Sequence, residues 1–236
     1  MDQTVFHLIN ERWTSPALDL FMAALSDVEI WKPLLIALAL CALVFGGFKG
    51  RAFVLCGAVT LLFSEAVVMS NFKTAVGRPR PKQAQTVRLV ELAKARPKFL
   101  ALFKPTRVHE SSAAERRPRG QGSSFPSAHV ANNFAIATFC VLFFRRWGWL
   151  YFIVAGVIGY SRIYLGAHWP TDVVASAFMA VGEALLMAAL LEWLWRWAGR
   201  RWEFPIFIRH PHFIENQAHV SSMPSPNSQV GILPHQ

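Results

Sequence analysis

The chain has 236 residues, 53% of them hydrophobic and only 16% charged, and its mean hydropathy is positive. That is too apolar for an ordinary soluble domain and describes an integral membrane protein with no second globular unit. The formal charge of +10 cannot sit in lipid, so it loads the loops and ends, where it favours anionic head groups; no soluble basic domain is left over to make nucleic acid the partner.

Residues 1–30 mix Phe6, Leu8, Ile9, Trp13, Leu18, Leu20, Phe21, Met22 and Leu25 with Glu11, Arg12, Asp19 and Asp27. This spacing predicts an amphipathic, interfacial segment broken at Pro16, and the absence of a basic opening excludes a cleavable signal peptide. Residues 31–200 read as the membrane domain. Spans are expected from about Trp31 to Phe48 and from about Ala52 to Phe72, separated by a short basic turn at Gly46 to Arg51. A third runs from Pro126 to the Arg145 and Arg146 pair, a fourth from Trp147 to Leu165 and a fifth from Thr171 to Trp197. The fold class is therefore all-α, a bundle of about five transmembrane helices. Cys41, Cys56 and Cys140 all fall inside apolar runs, which makes them core thiols and neither a disulfide framework nor a zinc site. Residues 201–236 form a polar, proline-containing tail, with disorder expected from Asn216.

Between the second and third spans lies a basic loop, 73–124, too long for a plain connector and so either functional or partly disordered. Within it, Arg88 to Lys104 reads as a basic surface-seeking stretch, kinked at Pro97 if helical, or equally as a solvated linker. Five spans place this loop and the opening stretch on one face, and the turn at Gly47, Arg145 and Arg200 on the other, beside a belt of Trp147, Trp149, Trp193, Trp195 and Trp197. The positive-inside rule, which weighs short loops over long ones, puts the loop on the extracytoplasmic side.

Three stretches on that face carry chemistry. Ser161 to Asp172 reads Ser-Arg-Ile-Tyr-Leu-Gly-Ala-His-Trp-Pro-Thr-Asp. Pro170 suits the first turn of a helix, which places Asp172 where it can reach back and hold one ring nitrogen of His168, leaving the other as a nucleophile or base. Each residue alone reads more simply, Asp172 as a helix cap and His168 as a loop histidine. Arg162 offers a planar fork of donors suited to phosphate. Lys73 and Arg80 leave the second span, and Phe125-Pro126-Ser127-Ala128-His129 opens the third. Lys73, Arg80 and Arg162 can surround one phosphoryl group, Ser127 adds a hydroxyl near a helix N-terminus, and His129 offers a second imidazole.

The order Lys73, Arg80-Pro81, then Pro126-Ser127-Ala128-His129, then Ser161-Arg162, His168 and Asp172 resembles the three-part signature of the type 2 phosphatidic acid phosphatase superfamily, in its bacterial membrane branch. The resemblance implies a lipid phosphatase in the bacterial inner membrane, its site facing the periplasm. It further implies that His168 attacks phosphorus, Asp172 orients it, His129 protonates the leaving group, and Lys73, Arg80, Ser127 and Arg162 bind the phosphate, with no cofactor and no metal. The substrate expected first is an isoprenoid diphosphate, with lipid A, phosphatidylglycerol phosphate and phosphatidic acid behind it. Two rivals remain: phosphotransfer to another lipid, and a non-catalytic protein that binds or moves anionic lipid. Ala128 departs from the usual glycine and would strain the chain if that position needed positive φ; if the glycine only allows close approach, alanine is a small cost, and the second is expected because a helix start fits both residues. Arg78 is read as a decoy one step out of register, a surface charge or an aid to a second phosphate. Glu65 and Glu183 inside spans, Asn133 one turn after His129, and His109 and Glu110 in the loop are each open to a structural reading or a functional one.

Overall fold

The computed structural model describes residues 1–111 and 123–214. Its long helices follow the apolar runs. After α1 (Asp2–His7), a π-turn at Leu8–Arg12 and α2 (Pro16–Ser26), helix α3 (Val28–Phe45) opens at Asp27, whose carboxylate accepts from the Glu29 amide at 3.1 Å. No residue of α3 is buried, the condition of a helix whose surroundings are lipid. Helix α4 (Gly47–Phe63) continues through a π-turn (Ser64–Met69) into α5 (Ser70–Val76), which Gly77 ends at φ 56°. That left-handed angle is the one glycine adopts without strain.

Helices α7 (Ala128–Phe144) and α8 (Leu150–Tyr164) have 17 and 15 residues, fewer than the roughly 20 that cross a bilayer. Helix α9 (Pro170–Trp202) runs 33 residues, and α10 (Pro205–Arg209) follows it. Helices occupy all five expected stretches; among the described residues three of them, Val28–Phe45, Gly47–Ala84 and Pro170–Trp202, are long and apolar enough to cross a membrane, and α7 and α8 are shorter apolar helices.

Packing of the bundle centres on α7 and α9. Ala131 and Ala135 on α7, and Ser176, Ala180, Ala184 and Ala188 on α9, are buried, and their four-residue spacing lets the two backbones approach closely. Cys56 of α4 is buried in the same core, whereas Cys41 on α3 is exposed and Cys140 half-buried, which corrects the reading of all three as core thiols. Glu183 accepts from Ser64 Oγ at 3.1 Å across helices, which supports the structural reading of that carboxylate, while Glu65 is exposed on the outer face.

The loop at 73–124 contains more order than its composition suggested. After α6 (Pro81–Ala84), strands β1 (Arg88–Glu91) and β2 (Arg107–Glu110) pair antiparallel with Arg88 opposite Glu110, around a 3-10 helix at Lys98–Phe103. The helical alternative for Arg88 to Lys104 is thus corrected to strand, then 3-10 turn. Leu89 and Val90 are buried together with Phe6, Ile9, Met22, Val87, Ile163, Tyr164 and Trp169, and this tertiary burial decides the conformation over local propensity. The same cluster holds the opening stretch against the bundle: Asn10 Nδ2 donates to the carbonyls of Arg88 (2.9 Å) and Tyr164 (2.7 Å), and Asp19 accepts from Arg88 and from the Tyr164 hydroxyl, each at 2.6 Å. Phe6, Ile9, Met22 and Ala23 therefore face protein, while Trp13, Leu18 and Phe21 stay exposed. His109 and Glu110 are exposed, and the tail from Asn216 lies outside the described residues.

Candidate active site

The three motif stretches are stitched to one another by main-chain groups. The Ser124 amide donates to the Arg78 carbonyl at 2.7 Å, Trp169 Nε1 donates to the Pro79 carbonyl at 2.9 Å, and His168 Nδ1 donates to the Ser124 carbonyl at 2.6 Å. The Ser127 amide donates to Ser176 Oγ at 2.8 Å and fastens the start of α7 to α9. Between α8 and α9 the chain must turn within a few residues. Gly166 does this at φ 74°, and a Cβ there would lie 2.9 Å from the Arg88 carbonyl oxygen. Both the angle and the approach require glycine. The Ala167 and His168 amides then donate to the Arg162 carbonyl at 3.0 and 3.2 Å, which closes the loop.

His168 is 4% exposed. A carbonyl can only accept, so Nδ1 carries the proton and the lone pair lies on Nε2. Burial, followed by the Arg162 and Arg80 charges, holds the imidazole pKa well below its ordinary value. A neutral ring with a fixed tautomer and a free Nε2 is prepared to act as a nucleophile.

Asp172 does not hold this ring directly, which corrects the expected contact. Its carboxylate accepts from the Trp169 amide at 3.1 Å, Ser124 Oγ at 2.5 Å and Arg78 Nη1 at 2.6 Å. As the third residue of α9 it caps the helix, and it reaches the imidazole only through Ser124. Arg78 is accordingly no decoy. Besides Asp172 it binds Asp2 Oδ2 at 2.5 Å and Thr171 Oγ1 at 2.7 Å. Burial alone would raise the Asp2 carboxyl, but hydrogen bonds from Thr171 and Arg78 outweigh it and hold the group below its ordinary value.

His129 sits in the first turn of α7, in the electrostatic reach of Arg162 and Arg80 and facing the backbone of Ser26. Arg162, on the last turn of α8, donates through Nη1 to Ser26 Oγ. Its Nε and the Ser127 hydroxyl are buried polar atoms without a hydrogen-bond partner among the described residues. Such atoms are costly unless a ligand meets them. Arg80 faces Asp172, and burial lowers its pKa against that opposing pull. Lys73, in the last turn of α5, is half-buried and makes no side-chain hydrogen bond or ion pair among the described residues.

The structure therefore brings His129, Arg80, Arg162, His168 and Asp172 into one electrostatic cluster. Ala128 is the first residue of α7, and only Arg145 and Glu203 have positive φ among the described non-glycine residues. The alanine is thus unstrained. Asn133 donates to the His129 carbonyl at 2.8 Å and accepts from Tyr151 at 3.0 Å, which is helix and interhelix bonding with no contact to the imidazole. Ser124 and Ser26 were not anticipated. Each acts through long-range partners that no local pattern announces; the one signal in the sequence is that Ser124 directly precedes the Phe125-Pro126 stretch.

An integral membrane bundle with a buried cluster of imidazoles and guanidiniums is the class that fold and site define. The chain belongs to the PAP2 superfamily, whose family model matches residues 53–197. It is similar to the lipid A 4'-phosphatase of Bacteroides thetaiotaomicron, 31% identical over 170 residues that cover 70% of this chain and 66% of that protein. To the undecaprenyl-diphosphatase BcrC of Bacillus subtilis it is 27% identical over 168 residues, 70% of each chain. The crystal structure of Aquifex aeolicus LpxE matches with a TM-score of 0.51 and 25% identity, over 79% of this chain and 93% of that one.

Proposed function

We propose that this protein removes phosphate from a lipid head group through a phosphohistidine. The observation that carries this reading is the fixed, neutral His168 beside Arg80, Arg162 and His129, with Ser127 Oγ and Arg162 Nε each buried and unpaired among the described residues. His168 Nε2 forms a bond to phosphorus as the bond to the leaving oxygen breaks, and His129 gives that oxygen its proton. Water then attacks phosphorus, the P–N bond breaks back to His168, His129 takes the water proton, and inorganic phosphate departs. Lys73, Arg80, Ser127 and Arg162 bind the phosphoryl oxygens and offset their charge as geometry changes. Asp172 positions His168 through Ser124.

As substrate we read an isoprenoid diphosphate first and lipid A next, ahead of phosphatidic acid and phosphatidylglycerol phosphate; the names of the similar proteins, undecaprenyl-diphosphatase and lipid A 4'-phosphatase, support this order. The site faces the extracytoplasmic side of the cell membrane, by the charge of the short loops. Purified protein with chelator present releases inorganic phosphate from one of these four lipids, and His168→Ala abolishes the release. Label passing into a second lipid would replace hydrolysis with phosphotransfer. Lipid binding with no turnover on the whole panel would make the pocket a carrier site.

A further inference from the structure

The segment between β1 and β2 has two unlike sides. Its 3-10 helix turns Ala101 inward, fully buried in the cluster of Phe6, Ile9 and Tyr164. Outward it presents Phe99, Leu100 and Phe103, which are 52%, 39% and 84% exposed. Three large apolar side chains on one short turn are poorly matched to water. Their place in the fold indicates what covers them. The turn packs beside α3, and Lys98 Nζ lies 3.1 Å from the carboxylate of Asp27, the residue that caps α3. Because α3 has no buried residue and carries the half-exposed Trp31 near its start, the turn stands at the level where lipid begins.

The charge around this ridge is positive. Lys94, Ala95, Arg96 and Lys98 line a shallow pocket of about 390 Å³. Lys94 and Arg96 are exposed and have no ion-pair partner among the described residues. A series of contacts leads from the pocket toward the candidate active site: Lys98 meets Asp27, and the preceding residue, Ser26, accepts from Arg162.

We propose that residues 94–104 form an interfacial docking element: Phe99, Leu100 and Phe103 enter the edge of the acyl layer, while Lys94 and Arg96 gather phosphate-bearing lipid head groups beside the catalytic pocket. Apolar insertion sets the depth of the loop, and the two unpaired cations raise the local concentration of anionic lipid. The catalytic part of this proposal rests on the phosphatase reading; the membrane contact does not.

Two measurements test it on the full chain in lipid nanodiscs. With Cys41, Cys56 and Cys140 replaced by alanine, Phe103→Cys carrying an environment-sensitive fluorophore is quenched by lipids brominated near the top of the acyl chain and shielded from aqueous iodide. Should the cysteine-free chain fail to fold, Phe103→Trp in the native background gives the same reading as brominated-lipid quenching beyond that of the parent. Free access of iodide, or no added lipid quenching, overturns the contact. Lys94→Gln with Arg96→Gln raises the apparent KM for a long-chain lipid phosphate on the order of 10-fold, with kcat unchanged and with hydrolysis of a short-chain, monomerically dissolved phosphate unchanged. Equal losses on both substrates, or no change on either, overturn the gathering role. An inactive parent protein would sink the phosphatase reading alone, because the quenching measurement needs no turnover.

Discussion

Helix α3 and the loop from Arg162 to Asp172 are built by opposite means. Helix α3 has 18 residues and buries none of them; its requirement is apolarity, which many sequences satisfy. The loop holds side chains at fixed positions by bonds to distant segments: His168 to Ser124, Trp169 to Pro79, and Asp172 to Arg78 and Ser124. The difference teaches that tolerance to substitution should change abruptly within the molecule, near the level where α3 begins.

Substitutions on both sides of that boundary test the contrast. After His168→Ala, which abolishes turnover, the largest effect is expected at Asp172. Asp172→Ala leaves Arg78 and Ser124 without their shared acceptor and lowers kcat about 10³-fold, by analogy with loss of the residue that orients a catalytic imidazole. Steady-state phosphate release measures it, and Leu38→Val on α3 should leave the same rate unchanged. Arg78→Gln comes next, with a loss on the order of 10-fold, the scale of removing a partner that orients a functional side chain. Rates equal to the parent would return Arg78 to a surface charge.

Glycines sharpen the comparison in stability. Gly166→Ala meets both a positive φ and the Arg88 carbonyl, and should cost about 2 kcal/mol or more. Gly182 on α9 has nothing within 4 Å of an added Cβ, so Gly182→Ala should be neutral or stabilising by up to about 1 kcal/mol. Thermal unfolding in one detergent measures both.

The acid response has a definite sign. His168 has its folded pKa held below the unfolded value, which is near 6.5 in ordinary peptides. The unfolded chain therefore binds the extra proton first, and stability contributed by the neutral ring is present above about pH 6.5 and lost as pH falls below it. The melting temperature of the parent should drop more steeply than that of His168→Gln on going from pH 7 to pH 5. The smallest effect is expected at Ala128→Gly, since the helix start already accepts alanine; turnover should stay within about twofold of the parent, as glycine at a helix end costs only a fraction of its interior penalty.

The bundle was legible in the chain because apolar runs of bilayer length have few alternatives. Arg162, His168 and Asp172 were legible because they stand between two apolar runs, and Arg80 and His129 because they recur in order with them in the three motif stretches. What escaped was the wiring. The contact of Asp172 with Arg78, and of Arg162 with Ser26, joins residues far apart in sequence, and nothing local to Ser26 or Arg78 marks them. The β1 strand escaped for a related reason, as Leu89 and Val90 take their conformation from Phe6 and Tyr164 across the fold.

Acid-free quenching of the protein during turnover of a radiolabelled lipid phosphate, followed by peptide mapping, addresses the central claim most directly. The account predicts phosphate bonded to the imidazole of His168, labile in acid and stable in base, and absent in His168→Ala. Label on another side chain, or phosphate release that persists in His168→Ala, would contradict it.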